Sequence, residues 1–355
     1  MPMIVVPCQP GKSLSLMGLS SCLRLYGSET AREQGMSKAL RAEALDRLPD
    51  LCARAGMPGS GWRVRDLVLR DDPIAQVAVL RVTRGSDDLV LKLERRPGHD
   101  VTARLAEHEA VQAIFPRSDR LTVPQLLAHD GAGGSLAEFF DGVPLAVRLD
   151  APFAQQLPDL RRAGAWLAAF HRARLGACRE FRPWFGIKTL NGVLDDLRRG
   201  KAHVAEQERF IAAAAALKAR REDWKGQITQ PAAQHDDLHM RNILMNDQAV
   251  AGIDFAGGHM APVGHDIARL LVDYAAIRAP LDRLRPSEVL PAEALAAFFD
   301  GYDLVGLEDP SVQMMLRLRV LTDWRGLPAD SRKMSPAKAR RLVGLMRIAE
   351  NVFEL

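Results

Sequence analysis

Residues Gln234-His235-Asp236-Asp237-Leu238-His239-Met240-Arg241-Asn242-Ile243-Leu244 carry most of what can be read from this chain, together with Gly252-Ile253-Asp254-Phe255. Asp254 lies twelve positions after Asn242, and apolar runs bracket the polar groups. Asp237 and Asn242 fall on one loop, and Asp254 follows the next short pair of strands, so three oxygen-bearing side chains converge although the sequence separates them. Phosphoryl transfer asks for such a set. It needs a carboxylate to orient or deprotonate the acceptor hydroxyl, and hard oxygen ligands to hold Mg²⁺ against phosphates.

Working outward, the bulk properties set the frame. With 355 residues the chain exceeds the usual size of a single core, so two lobes with a cleft are expected. The 47% hydrophobic and 26% charged content is that of an ordinary globular protein. The net charge of +4 is scattered, without an aromatic-interleaved basic stripe, so no nucleic-acid partner is expected. Cys8, Cys22, Cys52 and Cys178 have no CxxC spacing, which argues against a zinc site or a disulfide framework and for a reducing cytoplasm. No apolar run reaches the roughly 20 residues that span a bilayer, so no membrane association is expected. Residues 1–36 read as an N-terminal extension. Leu19-Ser20-Ser21-Cys22 only superficially matches an exported lipoprotein signal, and Gly11-Lys12-Ser13 lacks the first glycine of a phosphate loop.

From Lys38 to Ala55 helical spacing predicts one or two entry helices, with Pro49 breaking or kinking the run. Three β-like runs follow, Trp62 to Leu69, Val77 to Val82 and Leu89 to Leu93, forming an antiparallel meander. A helix over Val101 to Phe115 and strands over Thr122 to Ala128 and Ser135 to Phe140 complete a small β-rich lobe, residues 37–142. Beyond it, residues 143–355 read as a mainly helical lobe. Asp159 to Leu175 is its clearest helix, followed by Glu206 to Trp224, Asp266 to Ile277, Pro291 to Tyr302 and Pro336 to Val352.

The segment from His235 to Asn242 resembles the HGDLHxxN catalytic loop of the aminoglycoside phosphotransferase and choline kinase superfamily, and Ile253-Asp254-Phe255 resembles its metal-binding motif. The resemblance implies an α+β, two-lobed protein-kinase-like fold and an ATP-dependent phosphotransferase that uses Mg²⁺. Counting back from Asn242, it makes Asp237 the catalytic base, His235 the histidine that braces the loop, and Asn242 and Asp254 the metal ligands. Asp236 stands where the family usually has glycine, a departure that puts a like charge beside the base. Asp266 of Gly264-His265-Asp266 resembles the family's loop-bracing aspartate, and also suits a helix N-cap. His239 matches a second loop histidine, more simply read as structural.

In the small lobe Lys92, inside the apolar strand Leu89-Val90-Leu91-Lys92-Leu93, resembles the family's phosphate-contacting lysine. Its carboxylate partner is expected from the following helix, where Glu109 fits the family pattern better than Glu107. Glu138 and Phe140, in Glu138-Phe139-Phe140-Asp141-Gly142, resemble the segment joining the lobes, whose backbone groups hydrogen-bond adenine. The nucleotide-covering loop, Arg70-Asp71-Asp72-Pro73-Ile74-Ala75-Gln76, has no glycine, and two aspartates there repel phosphates unless turned away. The expected acceptor is a hydroxyl of a small molecule: an aminoglycoside, an amino alcohol such as choline, a sugar or an amino acid. The missing glycines and Asp236 support an alternative, a nucleotide-binding or scaffold protein with weak or no catalysis.

Overall fold

The computed structural model describes residues 31–98 and 100–355, with the side chains of 31–37 and 331 left aside. Most of the expected N-terminal extension, residues 1–30, lies outside the described residues.

Helix α1 (Ala31–Arg54) runs unbroken through Pro49, where the sequence predicts a break. Proline removes one backbone donor, but Leu40, Ala44, Leu48 and Leu51 on either side bury one stripe against the sheet, and that packing holds the helix in one piece. Strands β1 (Arg63–Asp72), β2 (Ala75–Arg84) and β3 (Asp87–Arg95) form the expected meander. Helix α2 (Val101–Ile114) follows, its first turn capped by the Asp100 carboxylate, which accepts the Ala103 N–H. After β4 (Leu121–Thr122), strands β5 (Leu126–His129) and β6 (Gly134–Glu138) complete a five-stranded sheet in the order β1-β2-β3-β6-β5, antiparallel throughout. Strand periodicity then sorts β3. Leu89, Leu91 and Leu93 enter the core under α1, while Val90, Lys92 and Glu94 point to the opposite face.

The second lobe opens with β7 (Val143–Pro144), α3 (Leu145–Arg148) and α4 (Phe153–Arg172). Next come β8 (Arg179–Glu180), α5 (Trp184–Arg198), α6 (Gln207–Ala219), β9 (Ile228–Thr229), β10 (Pro231–Ala233), β11 (Ile243–Met245), β12 (Val250–Gly252) and β13 (Met260–Pro262). Helices α7 (Gly264–Ile277), α8 (Ala292–Gly301), α9 (Pro310–Arg325) and α10 (Pro336–Phe353) close the chain. The fold is therefore α+β and two-lobed, as expected. One continuous apolar core, centred on Trp166, Phe170, Phe255, Tyr274 and Trp324, supports the helical lobe.

Two small sheets place the chemistry. Strands β11 and β12 form the antiparallel pair between Asn242 and Asp254, and the pair lies in the sheet β4-β12-β11-β7, so this segment is stitched to the small lobe ahead of β5 and to the chain just after the lobe connection. Strands β10 and β13 pair as well, which closes residues 234–259 into a loop with a narrow base. No helix among the described residues is long and apolar enough to cross a membrane.

Candidate active site

The loop between β10 and β11 is held from beneath by one face of α7. Asp266, Arg269 and Asp273 are spaced i, i+3, i+7 and share that face. The Asp266 carboxylate accepts the N–H groups of His235 at 2.7 Å and Asp236 at 3.2 Å, Arg269 Nη2 donates to Asp237 Oδ1 at 2.6 Å, and Asp273 accepts the Met240 N–H at 3.1 Å. Asp266 is thus the brace the sequence expects. Burial works to raise its pKa and is outweighed by His171, whose Nε2 lies 3.2 Å away, and by His235, so the carboxyl is held below its usual range. His171 on α4 is in turn fixed by the Tyr302 hydroxyl at 2.8 Å.

His235 is fully buried among the rings of Trp166, Phe170 and Phe255, the last at 4.8 Å between centroids. Burial pushes its pKa down against the pull of Asp266 and Asp237, so the imidazole is neutral. The Asp237 N–H points at His235 Nδ1 from 3.4 Å, and the Ala256 N–H donates to the His235 carbonyl, tying the loop to the segment behind Asp254. Through these contacts His235 ties the loop to the segment behind Asp254, while its Nε2 is buried with no partner among the described residues.

Asp236 adopts the left-handed φ of 63° that favours glycine, the residue usual here in the resembled family. Its side chain turns away from Asp237, to within 2.5 Å of His259 Nδ1, and lies against Gly257, where a Cβ would collide with it. Burial, ahead of other influences, raises its pKa. Asp237 keeps 21% of its side chain exposed, and its carbonyl accepts Asn242 Nδ2 at 2.9 Å. His239 Nε2 lies 4.0 Å from Asp237 Oδ1, and burial lowers the pKa of that imidazole.

Across the cleft, Lys92 Nζ donates to Asp254 Oδ1 at 2.5 Å although 162 positions separate the two residues. It also lies 2.7 Å from Glu94 Oε2. Burial works against both ionised partners and is overridden by their pairing, so the Lys92 pKa is raised and that of Asp254 is depressed. Asp254 has a φ of 63°, and this turn aims its carboxylate out of the strand register toward the small lobe.

Glu109 requires a correction. It is 52% exposed and lies 3.2 Å from His129 Nε2, while Glu107 pairs with Arg174, so neither glutamate of α2 reaches Lys92. Glu94 takes that place because residues two apart on a strand share a face. That signal was present in Lys92-Leu93-Glu94. Arg269, the partner of the expected base, was also missed, although its spacing from Asp266 marked it as facing the loop.

The nucleotide-covering loop differs from expectation too. Strands β1 and β2 extend until only Pro73 and Ile74 join them. Asp72 Oδ1 accepts the N–H groups of Ile74 and Ala75, Arg70 pairs with the same carboxylate, and Asp71 accepts from Gln76 Nε2. Both aspartates are thereby engaged in their own hairpin. At the lobe connection the Glu138 carboxylate is occupied by the N–H of Gln125 and by Arg117. The Phe140 carbonyl accepts the Gly142 N–H, whereas the Phe140 N–H has no partner among the described residues.

The sequence pattern of the APH phosphotransferase enzyme family matches residues 68–321. The chain belongs to this family. Its matched span begins in β1 and ends in α9, so it takes in Lys92, the catalytic loop and Asp254. No curated protein matches the sequence. Among solved structures, the phosphotransferase is similar in fold to aminoglycoside phosphotransferase APH(4)-Ia at 14% identity, with a TM-score of 0.53 over 88% of this chain and 98% of that one. A glucosamine kinase in complex with glucosamine, ADP and inorganic phosphate aligns at 17% identity and TM-score 0.50, over 85% and 80% of the two chains. Macrolide 2'-phosphotransferase MphH from Brachybacterium faecium aligns at 19% identity and TM-score 0.50, over 84% and 98%.

Proposed function

We propose that this phosphotransferase transfers the γ-phosphate of ATP, with Mg²⁺, to a hydroxyl of a small molecule. The observation that carries the reading is that Lys92 of the small lobe meets Asp254, which the Ile253–Asn242 backbone hydrogen bond ties to the loop of Asp237 and Asn242. The donor set suits a hard cation. Asn242 commits Nδ2 to the Asp237 carbonyl, so Oδ1 is its remaining ligand atom, and Asp254 is ionised. Asn242 and Asp254 would hold Mg²⁺, which when bound neutralises phosphate charge and leaves its other positions to phosphate oxygens and water.

In the transfer Asp237 orients the acceptor O–H and takes its proton as the new oxygen–phosphorus bond forms. The bond between the γ-phosphorus and the bridging oxygen breaks, and the electron pair leaves with ADP. Lys92 stabilises the charge on the phosphate oxygens. Arg269 holds Asp237 in one rotamer through a charge-assisted hydrogen bond. The unpaired Phe140 N–H supports placing the adenine edge against the lobe connection, where the Glu138 and Phe140 main chain would meet it. An aminoglycoside, an amino alcohol, a sugar and an amino acid all offer a suitable hydroxyl.

The glycine-free hairpin and the direct Lys92–Asp254 pair support the second reading, a nucleotide-binding protein with weak or no turnover. One experiment separates them. The protein is incubated with Mg²⁺-ATP and a panel of hydroxyl acceptors, and acceptor mass gain of one phosphate is followed alongside nucleotide affinity by calorimetry. Mass gain on an acceptor supports the transferase, binding without mass gain on any acceptor supports the second reading, and absence of both overturns the two together.

A further inference from the structure

The tight β1–β2 hairpin leaves a physical problem. A glycine-rich loop offers backbone N–H groups to phosphates, whereas Pro73-Ile74, which follows two engaged aspartates, offers none of that kind: Pro73 has no N–H, and the Ile74 N–H is given to Asp72. Without other cations, the polyphosphate would meet Lys92 alone against the carboxylates of Glu94 and Asp254, a set with surplus negative charge. Such a site disfavours an anion strongly, because charge interactions in a partly buried cleft are weakly screened.

Two arginines change that balance. Glu94, with only 5% of its side chain exposed, accepts Arg104 Nη1 at 3.3 Å and lies 2.5 Å from Arg96 Nε, an ion pair whose N–H is not aligned as a hydrogen bond, in addition to Lys92. Three cations then face the two carboxylates of Glu94 and Asp254, while Asp71 and Asp72, which line the same cavity, are held within the hairpin by Gln76 and Arg70. Arg96 leaves the end of β3 and lines a cavity of about 590 Å³ with Gln76, Glu94 and Val101, beneath the β1–β2 turn. Arg104 comes from the first turns of α2, the helix expected to contribute a carboxylate. Its Nη2 is buried with no acceptor among the described residues, a donor with capacity to spare. The fork geometry of a guanidinium matches phosphate oxygens in pairs.

We propose that Arg96 and Arg104 are phosphate-binding residues that replace the missing glycine loop, with Glu94 holding them and Lys92 in one array. The assignment rests on the reading of the cleft as a nucleotide site. It implies a division of labour in which side-chain guanidinium groups hold the β- and γ-phosphates while the lobe connection holds the base. Nucleotide affinity should then depend steeply on ionic strength and on the number of phosphates.

The test is calorimetry on the full chain with Mg²⁺-ATP, Mg²⁺-ADP and adenosine, for the wild type and for Arg96→Gln, Arg104→Gln and Arg104→Lys. Each glutamine variant is expected to bind Mg²⁺-ATP about tenfold more weakly, the loss of one hydrogen bond to a charged group. Adenosine affinity should stay unchanged, and Arg104→Lys should recover part of the loss because it restores charge without the fork. Unchanged adenosine binding also shows that a variant has folded, and Arg96, which is less buried than Arg104, gives an independent reading if Arg104→Gln unfolds. Wild-type affinity for Mg²⁺-ATP matched by both glutamine variants overturns the arginine assignment alone. A wild type that binds neither ATP nor adenosine overturns the nucleotide reading and this assignment with it.

Discussion

The two shores of the cleft are built on different physics. On the helical side, the catalytic loop is fixed by hydrogen bonds from buried groups: Asp266 on the His235 and Asp236 N–H groups, Asn242 on the Asp237 carbonyl, and a neutral imidazole among three aromatic rings. On the sheet side, order comes from charge, with Glu94 at the centre of Lys92, Arg96 and Arg104. A hydrogen-bonded loop has one low-energy shape and keeps it whether or not substrate is present, because each unmade bond leaves a buried polar group exposed to an apolar surrounding. A charge cluster can exchange partners, and Lys92 and Asp254 neutralise one another directly. Under the proposed function, the shore that orients the acceptor is the rigid one, and the shore that receives the anion is the adjustable one.

Substitutions can break or sharpen this contrast. The largest expected effect is at the point where the shores meet: Asp254→Ala should abolish Mg²⁺-dependent turnover while thermal unfolding stays cooperative, and persistent turnover would remove Asp254 from the metal site. Next, Asp237→Asn should lower turnover by about two to four orders of magnitude with nucleotide affinity intact. Steady-state kinetics on an acceptor found by the mass screen will show it, and a fully active variant would mean that the loop register is misassigned. Asp266→Ala should destabilise the chain by roughly 3 kcal/mol or more in denaturant unfolding, since it strips two backbone donors and a histidine of their buried partner. A loss below about 1 kcal/mol, the value of a surface change, would show that the rigid shore does not depend on α7.

The pH dependence separates the buried histidines from the buried carboxylates. His108, His235 and His239 have pKa values lowered chiefly by burial, so the unfolded chain binds more protons than the folded one once pH falls below about 6.5. Stability from these groups is complete above that pH and declines as pH drops toward their folded values. Asp254, Asp266 and Asp273 have depressed carboxyl values, and their contribution is lost only on further acidification, below about 4. Melting temperature measured from pH 8 to 4 should begin to fall near 6.5, and a flat profile down to 5 would refute the neutral buried imidazoles. The smallest effect is expected at Asp236→Gly. The left-handed backbone accepts glycine without strain, and the lost contact to His259 is partly solvent-exposed, so turnover should change by less than about tenfold, far short of losing a positioned acid-base group. An inactive Asp236→Gly alongside an active Asp237→Asn would exchange the roles of the two carboxylates.

The rigid shore was more legible than the adjustable one. His235, Asp237, Asn242 and Asp254 lie within twenty residues, and their spacing carries their relation because short strands and tight loops leave few ways to join them. Asp266 was readable as the brace through the resemblance, and the structure decides against its other use, since the cap position of α7 is Val263. The partner of Lys92 was not. Choosing between Glu107 and Glu109 assumes that α2 turns an acid toward Lys92 on β3, whereas Arg174 draws Glu107, and His129 on β5 draws Glu109. The hairpin was misjudged for a similar reason: Asp71 and Asp72 look like loop residues by composition, yet their carboxylates satisfy the turn and let the strands run on.

The sequence by itself determined the lobes, the order of the elements and the identities of the groups at the catalytic loop, because apolar periodicity and short-range spacing are local properties of the chain. Only the tertiary structure decided which charges meet. The Lys92–Asp254, Arg104–Glu94 and Arg269–Asp237 pairs depend on how a sheet, a helix and a loop from separate stretches pack together. A carboxylate can satisfy any nearby cation, and it is packing that selects one.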